Sequence, residues 1–237
     1  MVYEIPAVAA AMDRKIMQLD HLTNNLANAG TSGFKAAHLH FLNALEEENM
    51  ATENTVSRST LVVDFARGIP QKTGNLLDLH LQGDGFFVVQ TEEGQAFTRK
   101  GDFTVNKLNQ IVTQTGEPVI GEGGPIVLRE GKINITQDGL VSVDESQVGK
   151  LKVVDFANRQ ALRSTGDGLY RDDGAAGQKM VEKPNISTGI IELSNVNAVK
   201  EMAEMIDIHR SFESYQKIIQ TLSDIDKLST SRIGRVT

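Results

Sequence analysis

At 237 residues the chain can bury one or two cores, and 40% hydrophobic with 23% charged residues places it among folded or assembling proteins rather than disordered ones. Its 24 basic against 31 acidic residues give a net charge of −7, which argues against nucleic acid as a partner, and 5% aromatics without Trp leave no platform for stacked bases. With no Cys in the sequence, disulfides, thiolate zinc sites and cysteine nucleophiles are excluded together.

The first twenty residues acquire Glu4, Asp13, Arg14 and Lys15 too early for a cleaved signal peptide, and they lack a basic start and an uninterrupted apolar core. No apolar run approaches the roughly 18–20 residues of a spanning helix, so direct membrane insertion is not expected. Instead, Ile5, Val8, Met12, Ile16, Leu19, Leu22 and Leu26 recur at steps of three and four, which predicts one helix about 35 Å long with a single apolar stripe. The run stops at Asn28-Ala29-Gly30-Thr31-Ser32-Gly33, residues that end helices and make turns.

Residues 33–60 are polar, with Glu46-Glu47-Glu48 in their midst, and predict an extended connector with room for a short helical piece over residues 38–45. From about residue 61 to 193 the pattern changes to short apolar runs: Phe86-Phe87-Val88-Val89, Ile111-Val112, Ile133-Asn134-Ile135, Leu140-Val141-Ser142-Val143 and Val153-Val154. Turn signals separate them, among them Glu92-Glu93-Gly94, Gly121-Glu122-Gly123-Gly124-Pro125 and Asp138-Gly139, so an antiparallel all-β domain is expected.

Helical spacing returns after Ser194 or Asn195, either of which could serve as N-cap. Met205, Ile208, Phe212, Tyr215, Ile219 and Leu222 form the stripe, and Met202, Ile218, Ile225 and Leu228 widen it. Neither Gly nor Pro occurs between residues 196 and 228, which allows a helix of about 50 Å. The expected fold class is therefore α+β, with N- and C-terminal helices pairing as a coiled coil and flanking a central antiparallel all-β domain. Its parts are an N-terminal assembly helix (1–32), an extended connector (33–75), a β-rich domain (76–193) and a C-terminal assembly helix with its tail (194–237). On pattern alone the two stripes suit a monomer's helical hairpin as well as they suit self-assembly.

The block LDHLTNNLANAGTSGFK at residues 19–35 resembles the N-terminal signature of the bacterial flagellar rod and hook axial proteins, in which an N-N-[LIV]-A-N helix passes into a [TS]-x-G-[FY] turn. Residues 67–79 and 83–89, continued by Phe97-Thr98-Arg99-Lys100-Gly101-Asp102-Phe103, are similar to that family's entry into its β domain. Ser194-Asn195-Val196, Met202, Met205-Ile206 and Ile218-Ile219-Gln220-Thr221 are similar to its closing helix. Within the family, residues 118–126 and the modest length most resemble a proximal rod subunit, although residues 231–237 run past the helix; a distal rod or hook-type member is the alternative.

The resemblance implies a structural, non-enzymatic subunit without cofactor or metal, exported without a cleaved signal and placed in the periplasmic rod of the flagellar basal body. Implied partners are copies of itself and other rod proteins, with the membrane-ring or export-gate end of the rod as a further option; polymerisation through the terminal helices would build the shaft that carries motor torque to the hook. The residues expected to form the assembly interface are Ile5, Met12, Leu19, Leu22, Asn24, Asn25, Leu26, Asn28, Gly33 and Phe34, together with Ile208, Phe212, Tyr215, Ile219 and Leu222. Asn28 also suits ordinary helix-end chemistry, whereas Asn24 and Asn25 sit one turn inside, where Asn is a poor helix former.

Rival chemistries have thinner support. His38 and His40 would share a strand face but lack further ligands for a metal. A secreted β-rich hydrolase would need a convergent pair among Asp84, Asp102, Asp138 and Glu122, and a monomeric adaptor would keep its end helices as a closed hairpin. The glycine-rich stretch at residues 121–125 lacks the Lys-Ser/Thr of a phosphate loop, and the acidic turns around Asp167 and Asp172 lack the spacing of a calcium loop.

Overall fold

The computed structural model describes residues 4–42 and 58–233. These divide into a β unit, residues 28–36 and 63–196, and a helical unit, residues up to 27, 37–62 and from 197 onward.

Every ladder in the β unit is antiparallel. Its main sheet has six strands in the order Leu162–Gly166, Leu169–Asp172, Gly94–Thr98, Phe86–Thr91, Val153–Phe156 and Gln178–Met180. The central run Phe86-Phe87-Val88-Val89 is buried at all four positions, because the sheet is covered on both faces. Alternation sends Phe87 and Val89 into an aliphatic core with Phe103, Ile111, Val119, Val141 and Leu151. On the opposite face Phe86 meets Phe65, Phe156 and Tyr170 edge-on, with ring centroids 5.7, 5.7 and 5.9 Å away. Glu92-Glu93 and Asp138-Gly139 turn the chain between paired strands as the sequence predicts. The two-residue turn Asp144-Glu145 is different: both residues have positive φ, 47° and 69°, as a type I′ hairpin turn requires, without any glycine to announce it.

The helical unit contains α1 (Glu4–Ala27), α2 (Ala198–Ile233) and a two-stranded pair, Ala37–Leu42 with Arg58–Val63. The helices run antiparallel, the end of α1 lying against the start of α2. Asn197 is the N-cap of α2: its Oδ1 accepts the Lys200 amide at 3.1 Å and its carbonyl accepts the Glu201 amide at 3.0 Å. The cap thus lies beyond Ser194 and Asn195, both of which are occupied in the β unit.

The expected fold class needs correction. The fold is mostly β, with just two α-helices, one at each end of the β-rich middle, among the described residues. Pairing of those helices as a coiled coil is also not what the side chains form, since such a seam needs a continuous row of buried apolar residues. Among the described side chains of α1 and α2, Leu22 and Ile208 are the buried apolar ones, at 7% and 6% exposure. The deeper contact is polar: Asn25 (1% exposed) donates from Nδ2 to Glu201 Oε2 (3% exposed) at 3.2 Å. Asn25 also grips Ala37 through both backbone groups, at 2.9 and 3.0 Å, so α1 divides its inner face between α2 and a strand. The same grip takes both Ala37 backbone groups out of helical bonding, and residues 37–42 form a strand where a short helix was an option; residues 43–45 and Glu46-Glu47-Glu48 lie outside the described residues.

Packing of the Phe87 ring, 1% exposed and edge-on to Phe103 at 5.2 Å, makes Phe87→Ala a sensitive probe of the β core. Urea denaturation followed by circular dichroism is expected to show a loss of about 3–5 kcal/mol, against about 0.5 kcal/mol or less for Leu108→Ala, which is 70% exposed.

Candidate functional site

After α1 the chain enters the β unit at Asn28 and turns through Thr31, whose amide bonds the Asn28 carbonyl at 3.0 Å, to Gly33. Gly33 has φ +62°, and a Cβ there would lie 2.4 Å from the Arg99 carbonyl carbon; no other residue fits. Its amide donates to the Glu192 carbonyl at 2.7 Å, which fixes the next residues against the segment leading to α2.

Two positions on, the Lys35 ammonium is fully enclosed and bonds Glu192 Oε1 at 2.5 Å and the Ala66 carbonyl at 2.7 Å. Glu192 Oε1 also accepts the Gly68 amide at 2.8 Å. Asn195 completes the seam: Oδ1 accepts the Ala36 amide at 2.7 Å, and Nδ2 donates to the carbonyls of Asp64 and Ala66 at 2.8 and 3.2 Å. Ser32 Oγ donates to Asp102 at 2.7 Å. The stretch following α1 and the stretch preceding α2 are thereby stitched to each other inside the β unit.

Burial works to raise the Glu192 carboxyl, but the hydrogen bonds from Lys35 and Gly68 and the charges of Lys35 and Arg99 outweigh it and hold Glu192 below the ordinary carboxylate range. Burial pulls the Lys35 ammonium down, with Glu192 opposing. Beside them, His80 Nδ1 lies 3.8 Å from Glu192 Oε2, and neither atom makes a hydrogen bond. Arg99 is buried too; both its terminal nitrogens donate to the Gly83 carbonyl at 3.0 Å, and it stacks over Phe86 at 5.6 Å.

In the helical unit Met12, Leu19 and Leu26 on α1, and Phe212, Tyr215, Ile219 and Leu222 on α2, are half-buried, while Leu22 and Ile208 are buried. Ile5 lies in α1, with its side chain outside the described residues, and Asn24 is exposed. A groove of about 290 Å³ lies between the helices and the first strand, lined by Lys15, His21, Leu22, Glu204, Asp207 and Ile208. Ile16 from the predicted α1 stripe and Met202, Ile218 and Ile225 from the predicted α2 stripe, together with Met17, Val199 and Ile206, stand 42% to 75% exposed. With about 3.6 residues per turn, Val199, Met202 and Ile206 fall on one flank of the α2 stripe, and Ile218 and Ile225 on the other. Gly33 and the half-buried Phe34 belong to the β unit.

Three of the four carboxylates that a hydrolase would draw on, Asp84, Glu122 and Asp102, have local partners. Asp84 pairs with Arg159 and Arg67, and the Arg159 hydrogen bond is the main force holding its carboxyl below the usual range. Glu122 bonds Lys150 at 2.7 Å and Asp102 takes the Ser32 hydroxyl. His38 and His40 share a strand, and among the described residues no group of three or more His, Asp or Glu is arranged to hold a metal. No described helix is long and apolar enough to cross a membrane.

Local pattern did not reveal Glu192 or His80 as site residues, because Glu192 and Lys35 are 157 residues apart and neither breaks a periodicity. The available signal was Lys35 itself, which closes the block at residues 19–35 as a lone cation after Gly33-Phe34.

A β module covered on both faces, with its inlet and outlet segments locked together, and a helical unit with open apolar positions define a structural subunit. Comparison with known proteins agrees. Residues 187–232 match the family described as flagellar basal body rod FlgEFG protein C-terminal, and residues 80–143 match the flagellar hook protein FlgE/F/G D1 domain. The chain is 35% identical over 242 residues to the flagellar basal-body rod protein FlgF of Escherichia coli, covering 94% of this chain and 95% of that one. It is 33% identical over 228 residues to FlgF of Caulobacter vibrioides (92% and 93% covered) and 31% identical over 238 residues to the rod protein FlgG of Bacillus subtilis (88% and 90% covered). The chain belongs to the flagellar basal-body rod protein family, and its function is that of a structural rod subunit.

Enclosure of the Lys35–Glu192 pair predicts a large penalty for removing one partner. Lys35→Met, which leaves a buried carboxylate unpaired, is expected to cost about 3–5 kcal/mol in urea denaturation. Lys200→Met, at the exposed Lys200–Glu204 pair, is expected to stay within about 0.5 kcal/mol.

Proposed function

We propose that the subunit polymerises through its terminal helices, with copies of itself and with other rod proteins, into the shaft that transmits motor torque to the hook. The observation that carries this reading is the set of apolar side chains that α1 and α2 leave open. Ile206, Ile218 and Ile225 are 53%, 45% and 44% exposed, to either side of a stripe in which Ile208 is buried and Phe212, Tyr215, Ile219 and Leu222 are half-buried. Each such side chain contributes about 1.5–3 kcal/mol when fully covered, so a few per subunit, repeated along a shaft, suffice to drive association.

In this reading Met12, Leu19, Leu22, Leu26, Ile208, Phe212, Tyr215, Ile219 and Leu222 set the shape of each subunit's helical unit and present its outer flanks to neighbours. Asn25 contributes by holding the strand at Ala37 and α2 at Glu201, and Asn24, one residue earlier, is exposed. The subunit works by assembly and not by catalysis. Its place is the periplasmic part of the basal body.

Ile206→Asp and Ile218→Asp test this reading on exposed positions, where the fold of the single subunit tolerates the change. Both variants are expected to keep the wild-type circular dichroism spectrum and thermal midpoint yet fail to enter purified basal bodies or restore swimming to a strain lacking the subunit. Normal incorporation and swimming of both variants would overturn it.

A further inference from the structure

The buried charge cluster of the β unit contains one group that the clamp does not use. His80, on the strand Leu79–Leu81, is 7% exposed, and its Nδ1 faces Glu192 Oε2 at 3.8 Å, just beyond hydrogen-bonding distance. Both atoms are buried and neither makes a hydrogen bond, which is a costly arrangement that a small movement could relieve. The charged groups facing His80 come from four segments: Glu192 from the strand Ile190–Glu192, Lys35 from the segment after Gly33, Arg99 from the turn following the strand Gly94–Thr98, and Arg67 from the stretch before Gly68. Of these, Lys35, Arg99 and Glu192 are buried, at 2%, 4% and 2% exposure, so one enclosed carboxylate already serves two enclosed cations.

We propose that His80 makes the clamp an acid-released latch for the segment at residues 28–36. A proton taken from solvent onto Nδ1 turns His80 into a third enclosed cation around Glu192. The imidazolium then closes the 3.8 Å gap and draws the carboxylate away from Lys35, and the ammonium left behind is buried with the Ala66 carbonyl as its other partner. The Gly33 amide bond to the Glu192 carbonyl and the Ala36 amide bond to Asn195 sit on the same seam and loosen with it.

The sign of the effect follows from the surroundings. Burial, then Arg99, Arg67 and Lys35, lower the His80 pKa below its ordinary value near 6.5, against the opposing pull of Glu192. The folded β unit therefore binds that proton less readily than the unfolded chain does. Stability linked to His80 is complete above about pH 6.5 and is lost as the pH falls towards the folded value. Glu192, whose carboxyl is also held low, acts in the same direction but only below its ordinary range near 4.5, so the two effects are separable by pH. The latch operates within a single β unit and does not depend on how subunits assemble.

The test uses the full chain, wild type and His80→Gln, at pH 7.5 and 5.5, with hydrogen exchange of the Gly33 and Ala36 amides corrected for intrinsic rate and compared with the strand Phe86–Thr91. In the wild type, protection at Gly33 and Ala36 is expected to fall by up to roughly tenfold, the most that a pH one unit below the ordinary value near 6.5 allows, while His80→Gln shows no such selective fall. An equal loss in both proteins would overturn the proposal. Should His80→Gln fail to fold, titration of the His80 ring by NMR in the wild-type chain decides: a midpoint well below 6.5 supports the latch, and one at or above 6.5 removes it.

Discussion

One enclosed ion pair, Lys35 with Glu192, ties together parts of the chain that are 157 residues apart. Removing two charges from water is expensive, and such a pair is held by further hydrogen bonds to its members, although Glu192 Oε2 is left without one. Here the Ala66 carbonyl fills the ammonium's second position, and the Gly68 amide shares the bonded carboxylate oxygen. The neighbourhood is correspondingly intolerant of extra atoms: a Cβ on Gly33 would strike the Arg99 backbone, and one on Gly68 would lie 1.7 Å from the Leu193 carbonyl oxygen. The pair is a fastening for the seam between inlet and outlet, while the bulk of the stability comes from the apolar layers on the two faces of the main sheet.

The two units solve different physical problems. In the β unit the central strands are covered on both sides, by aliphatic side chains on one face and by edge-on aromatic rings on the other. The helical unit is less saturated. Its tightest contact is the polar set of Asn25, Ala37 and Glu201, and much of the apolar surface of α2 is half-buried or open. A polar side chain at a helix contact fixes geometry at some cost in stability, which suits an element that must hold one shape and still offer apolar flanks to neighbours.

Much of the architecture could be read from residue pattern, for identifiable reasons. The stripe from Val8 to Leu26, the doubly buried run Phe86-Phe87-Val88-Val89 and the Asp138-Gly139 turn are local features whose periodicity or turn chemistry is sufficient. What escaped depends on distant partners. Residues 37–42 are a strand because Asn25 captures Ala37, the cap of α2 is Asn197 because Asn195 is engaged elsewhere, and the Asp144-Glu145 turn uses positive φ without glycine. The stripes were visible as helical faces, but their pairing as a coiled coil did not follow, since spacing cannot tell that a strand will occupy part of α1. Met17 and Val199 were likewise hidden, being isolated apolar residues off the main stripes. Glu192 and His80 carried no local signal at all.

If Lys35 and Glu192 act as one fastening and not as two independent side chains, a double-mutant cycle reads their coupling. Unfolding free energies of the wild type, Lys35→Met, Glu192→Gln and the double variant would be measured in urea at pH 7.5. A coupling energy of about 2–3 kcal/mol, with the double variant far less damaged than the two single losses together, is the predicted result. Additive losses, with coupling within about 0.5 kcal/mol of zero, would contradict the account.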